Sequence, residues 1–114
     1  MDATDLAYAG IARQAELIAG GEVSARELLD VYLERIARLD GRLNAFRVVF
    51  AERTRLDADQ ADARRGAGGG RPLLGVPIAV KDDIDVAGEV TMYGTNAAGG
   101  PAAEIGRASC RERV

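Results

Sequence analysis

The 114-residue sequence carries 15 Lys and Arg against 18 Asp and Glu, a net charge of −3, with no His, one Cys and only 4% aromatic residues. That balance excludes nucleic-acid binding through a broad basic field, and the missing imidazole excludes a Ser-His-Asp general base and any His-containing zinc site. A lone cysteine excludes a disulfide scaffold; no apolar run approaches the roughly 20 residues of a membrane span, and Met1-Asp2-Ala3-Thr4-Asp5 is acidic where a signal peptide is basic, so a soluble cytoplasmic protein is expected.

Thr4 or Asp5 can cap a first helix running to about Ala19, with Ala7, Ile11, Ala15 and Ile18 along one face, and Gly20-Gly21 ends it. Ser24-Ala25-Arg26-Glu27 is a capping box. The helix it opens carries an apolar stripe of Leu28, Leu29, Tyr32, Leu33, Ile36 and Leu39, and Asp40-Gly41 is its expected stop. Residues 43–49 hold β-branched side chains in weak alternation and read as a short strand or extended crossing. A third helix is expected from about Ala51 to Arg65, with Ala51, Thr54, Ala58 and Ala61 on a narrow small-residue face that buries little area.

Gly66-Ala67-Gly68-Gly69-Gly70-Arg71 is a flexible connector; no Lys-Ser or Lys-Thr follows the glycines, so it lacks the pattern of a phosphate-cradling loop. Ile78-Ala79-Val80 suits a short buried strand, and it delivers Lys81 into a cluster of carboxylates at Asp82, Asp83 and Asp85. Lys81 is the only lysine in the chain. A desolvated lysine can lose its proton and act as a base, which arginine cannot do. An ionised Asp close to the amine would favour its charged form and weaken that base, so Asp82 and Asp83 are expected to point away, toward backbone amides or an arginine. Alternation sends Asp82 to the opposite face but leaves Asp83 open, and a solvated lysine beside aspartates is the alternative to catalysis. Gly88 marks a turn before an extended segment over residues 90–96. In it, Thr91, Thr95 and Asn96 are either supporting hydrogen-bond donors or surface turn residues, and Tyr93 is a packing residue.

The last ten residues, Ile105-Gly106-Arg107-Ala108-Ser109-Cys110-Arg111-Glu112-Arg113-Val114, back-translate in one frame to ATC GGA AGA GCG TCG TGT AGG GAA AGA GTG, which resembles a short-read sequencing adapter. Residues 105–114 are therefore read as a non-native artefact tail and set aside from the fold. Without Arg107, Arg111, Arg113 and Glu112, the 15 basic and 18 acidic residues become 12 and 17, a net charge of −5, and the only cysteine goes too. What remains, rich in alanine and poor in aromatics, offers a thin core and reads as the outer layer of a larger body.

Pro72-Leu73-Leu74-Gly75-Val76-Pro77-Ile78-Ala79-Val80-Lys81-Asp82 closely resembles the amidase signature family at its catalytic lysine, and the resemblance extends over roughly residues 5–99. It implies an α/β fold with helices packed on a mixed central β-sheet, of which residues 1–104 are the N-terminal portion. It implies a triad of Ser, a second Ser on a cis peptide, and Lys; Lys81 matches the lysine. The Gly/Ser-rich segment that holds the serines in that family is absent from these residues, so the chain by itself is expected to be inactive. The implied reaction is hydrolysis of a carboxylic amide to acid and ammonia, without metal or organic cofactor. The implied partners are a small-molecule amide and, in the full-length protein, either a second copy of the chain or the other subunits of a tRNA-dependent amidotransferase, whose amidase subunit is the nearest rival identity. A rival of another class is a non-enzymatic helical interaction module, with Lys81 a surface residue.

Overall fold

The computed structural model describes residues 1–68, 70–95, 100 and 102. The tail at residues 105–114, its Cys110, and Asn96 lie outside the described residues. The chain forms two compact units, Met1–Pro77 and Ile78–Val114.

The first unit is helical. Asp2 accepts a hydrogen bond from Asp5 N at 2.8 Å and so caps α1, Ala3–Ala7. Gly10, at φ +83°, breaks the helix before α2, Ile11–Ala19. The single helix expected up to Ala19 is thus two, and the break turns the buried face. Leu6, Gln14, Leu17 and Ile18 are buried, while Ile11 is exposed. Gln14, only 3% exposed, donates from Nε2 to Leu6 O at 2.9 Å and to Tyr32 Oη at 2.7 Å, and the tyrosine hydroxyl donates to Ala7 O at 2.8 Å. These bonds satisfy the buried amide's donor group and tie three helices together. At the end of α2, Glu22 N bonds to Leu17 O and Gly21 N to Ile18 O, with Gly21 at φ +75°. This is the Schellman arrangement, in which a left-handed residue lets the chain turn back on the last carbonyls.

The third helix, α3 (Ala25–Leu43), opens on the expected capping box: Ser24 Oγ accepts from Glu27 N, and Glu27 accepts from Ser24 N. Two further amides of that first turn, Ala25 N and Arg26 N, donate to the two carboxylate oxygens of Asp62 at 2.8 and 3.1 Å. Asp62 lies on α4, Ala51–Gly66, so a neighbouring helix completes the cap. Arg26 also pairs with Asp59 at 2.9 Å and with Asp30 at 3.3 Å. Its pKa is raised above the ordinary value chiefly by the hydrogen bond to Asp59, with desolvation opposing and the charges of both carboxylates adding.

Rather than stopping at Asp40-Gly41, α3 runs on to Leu43, and Asn44 ends it in the left-handed conformation at φ +50°. Asn tolerates this conformation better than most residues. Asp40 contributes to the ending from inside the helix, its Oδ1 accepting from Ala45 N and Phe46 N. The small-residue face of α4 packs as its sequence implies: Ala58 and Ala61 are buried with Ala25 and Leu29, and Leu33 and Leu74 close the cluster. A second cluster joins Leu6, Leu17, Ile18 and Leu28, with Val23, Val31, Tyr32 and Val76 against it. Gly75, at φ +88°, is required by close approach, since a Cβ there would stand 2.8 Å from Ala25 Cβ and 3.4 Å from two carbons of Ile18.

The expectation of an α/β protein with a mixed central β-sheet is corrected by the structure: among the described residues there is no strand and no sheet. Residues 43–49 and 78–80 have strand-like composition, but neither enters a ladder. A strand is stabilised by hydrogen bonds to a neighbour and by side chains packed across it, neither of which resides in its own sequence. Ile78 and Ala79 are accordingly exposed, not buried. Among the described residues, no helix is long and apolar enough to cross a membrane.

Candidate functional site

Lys81 lies in the second unit, where turns and not a core organise the chain. Ile84 N donates to Lys81 O at 3.1 Å and closes a turn over residues 81–84. Glu89 N donates to Val86 O at 3.0 Å, with Gly88 at φ +86°, in the position where a type II turn needs a positive φ. Thr95 N donates to Met92 O at 3.1 Å, with both central residues, Tyr93 and Gly94, at positive φ, the pattern of a type I′ turn. Across these turns Tyr93 N donates to Asp82 O at 2.9 Å, Met92 N to Asp82 Oδ1 at 3.3 Å, and Thr91 Oγ1 to Asp85 Oδ1 at 2.6 Å.

The carboxylates beside the lysine divide. Asp82 accepts from a backbone amide, one of the partners expected for it, although residues 81–84 form a turn and not the extended chain on which the alternation argument rests. Asp83 does not point away: its Oδ2 is 3.5 Å from Lys81 Nζ. The lysine side chain is 83% exposed and that of Asp83 48%, so water screens this pair and it contributes little to stability. Such an arrangement presents an amine outward beside one carboxylate. It can bind an anion or a polar group, and it can exchange protons with solvent.

Of the donors named from sequence, Thr91 is engaged as one, on Asp85, a partner that sequence reasoning did not single out. Its signal is an Asp and a Thr flanking a glycine turn, the spacing at which a short loop folds back on itself. Tyr93 is 63% exposed, so it is not the packing residue expected. In the first unit, a groove of about 470 Å³ is lined by Arg26, Asp30, Leu33, Glu34, Ala37 and Arg55. Asp30 there pairs with both Arg26 and Arg55, and Glu34 pairs with Arg38, so each charged side chain lining the groove has an ionic partner.

Comparison with known proteins bears on the family of the chain. The family described as Amidase matches residues 27–105, a span that includes Lys81. The chain is 58% identical over 103 residues to a Mycobacterium tuberculosis protein named "Putative amidase AmiB2", an alignment covering 90% of this chain and 22% of that one. It is 45% identical over 85 residues to one of the subunits of the glutamyl-tRNA(Gln) amidotransferase of Roseiflexus castenholzii, covering 75% of this chain and 17% of the relative. Among solved structures, it resembles a chain from a vestigial protein complex that reveals the evolutionary origins of an s-triazine catabolic enzyme. The TM-score is 0.80 at 37% identity, covering 84% of this chain and 21% of the other. The chain thus spans about a fifth of the length of the relatives it matches.

Proposed function

The chain belongs to the Amidase family, and from that membership we propose that residues 1–104 are the N-terminal portion of an enzyme that hydrolyses a carboxylic amide to acid and ammonia, with Lys81 as its general base. The carrying observation is Lys81 itself, the sole lysine and inside the family match; its amine is exposed and 3.5 Å from Asp83 in this chain, so the desolvated site that a base needs has to come from the rest of the enzyme. An amide is a poor electrophile, so its hydrolysis needs an activated nucleophile, a proton for the leaving nitrogen and a site for the oxyanion. An unprotonated lysine can serve the first two needs. It takes the proton of a serine hydroxyl through a bridging serine, the serine oxygen attacks the carbonyl carbon, and the proton passes to the nitrogen as the C–N bond breaks. Water then releases the acid from the acyl-serine.

The two serines belong to the rest of such an enzyme. Ser24 and Ser109 are the only serines in this sequence, and Ser24 caps α3 in the first unit. The 114-residue chain by itself therefore turns over no amide. The reading of residues 105–114 as a non-native tail belongs to the same proposal, and long-read sequencing of the locus past Glu104 tests it; a frame that kept Ile-Gly-Arg-Ala-Ser-Cys would defeat it.

The role of Lys81 is tested in the uninterrupted enzyme. Lys81→Ala lowers turnover by about 10²-fold or more, the usual scale for a general base. Lys81→Arg is nearly as damaging, because guanidinium keeps the charge but accepts no proton. An Arg variant that folds normally with near-parental turnover makes Lys81 a charge partner and removes it from the mechanism. The likeness to a component of an amidotransferase favours one second reading, in which glutamine is the amide and the ammonia passes to a partner protein. Ammonia release from glutamine that rises on adding the other amidotransferase components distinguishes it from a stand-alone amidase.

A further inference from the structure

We propose that Asp82 is the positioning residue for Lys81. Its main-chain and side-chain oxygens tie residues 92 and 93 to the turn that carries the lysine, and so set the direction in which the amine leaves the chain. The inference rests on the reading of Lys81 as the base.

Among the described residues from Ile78 onward no side chain is fully buried, so packing does little to hold the lysine's backbone in place. Hydrogen bonds do. Lys81 O and Asp82 O accept from Ile84 N and Tyr93 N, and Asp82 Oδ1 accepts from Met92 N, so successive amides of the later segment meet the main chain and side chain of one residue. The bond from Thr91 to Asp85 continues the same seam. Two attachments at a single residue resist rotation where one would act as a swivel.

The conformation of Tyr93 points the same way. At φ +55° a bulky L-residue is held in a region costing roughly 1–2 kcal/mol. With its side chain largely in solvent, packing does not account for this. What the conformation provides is the Met92-to-Thr95 turn and the direction of the Tyr93 amide, at Asp82 O. Strain that persists where the surroundings over-determine the backbone is a feature of positioned sites.

The experiment compares Asp82→Ala, Asp82→Asn and Lys81→Ala in the uninterrupted enzyme, reading ammonia release from propionamide and from glutamine together with hydrogen exchange at Met92 and Tyr93. Asp82→Ala lowers kcat about 10- to 100-fold, since displacement of a catalytic group by about 1 Å has effects of that order. KM stays within about threefold, and the Met92 and Tyr93 amides exchange faster. Asp82→Asn retains an acceptor oxygen for Met92 N and restores kcat to within about threefold of the parent.

An inactive Lys81→Ala beside an Asp82→Ala variant with parental kcat overturns the positioning role alone. Parental turnover in Lys81→Ala, or a parent that releases ammonia from neither amide, overturns the base and this inference with it. A folded Asp82→Asn as damaged as Asp82→Ala also overturns it, because the acceptor oxygen would not be what matters. If Asp82→Ala fails to fold, the Asn variant carries the test through its kcat and its exchange at Met92.

Discussion

Residues 1–77 and residues from 78 onward are held by different forces, and Lys81, the proposed base, lies where no described side chain is buried. In the first unit, two clusters of buried side chains are backed by caps that satisfy the helix amides; in the second, no described side chain is buried and a seam of hydrogen bonds carries the lysine. A core resists small changes because removing atoms leaves a cavity. A hydrogen-bonded loop resists them only at the few residues that make its bonds. Substitutions should therefore act on stability in the first unit and on geometry in the second.

The sharpest way to break this contrast is Leu28→Ala, which empties a position with no solvent exposure at the centre of one cluster. A loss of about 2–5 kcal/mol is expected, read from urea unfolding followed by far-UV circular dichroism. A loss below about 1 kcal/mol would mean that this cluster does not organise the helices. Next comes Gly75→Ala, which combines a left-handed backbone with a Cβ 2.8 Å from that of Ala25. It should cost about 2–3 kcal/mol, whereas Gly10→Ala, with a similar φ but open space around it, costs only the conformational part of about 1–2 kcal/mol. Equal losses at the two glycines would remove close packing as the reason for Gly75.

Asp62→Ala, which uncaps two amides of α3 from the neighbouring helix, should lower stability by about 0.5–2 kcal/mol, seen as a reduced urea midpoint at unchanged slope. The smallest effect belongs to the second unit. Ile78→Ala, at a side chain 63% exposed, should leave unfolding within about 0.5 kcal/mol of the parent. A larger loss in the same urea titration would reveal packing at Ile78 and erase the distinction between the regions.

Several features are legible in the sequence alone. The Ser24–Glu27 box, the small-residue face of α4 and the Leu28-Leu29 stripe are written at spacings of three or four residues, the reach of helix geometry itself. The lysine motif was legible for a different reason: its residue types and order are specific enough to identify a family without a fold. Asp82 was half legible, since a backbone amide was among the partners expected for it but nothing local named Met92. Asp83 was not, because a flexible side chain two residues from an amine can pair with it or leave it, depending on the turn between them.

By itself, then, the sequence determined where the helical segments lie, the Ser24 capping box, the Gly20-Gly21 stop and the family of the lysine, because each depends on neighbours along the chain. Only the tertiary structure decided that the first helix breaks at Gly10 and buries Gln14 against Tyr32, that Asp62 caps a helix 36 residues away, and that Gly75 lies against Ala25. It also decided that residues 43–49 and 78–80 are not strands. The physical reason is common to all of these: a contact between distant residues, or a ladder between strands, depends on partners that no local pattern contains.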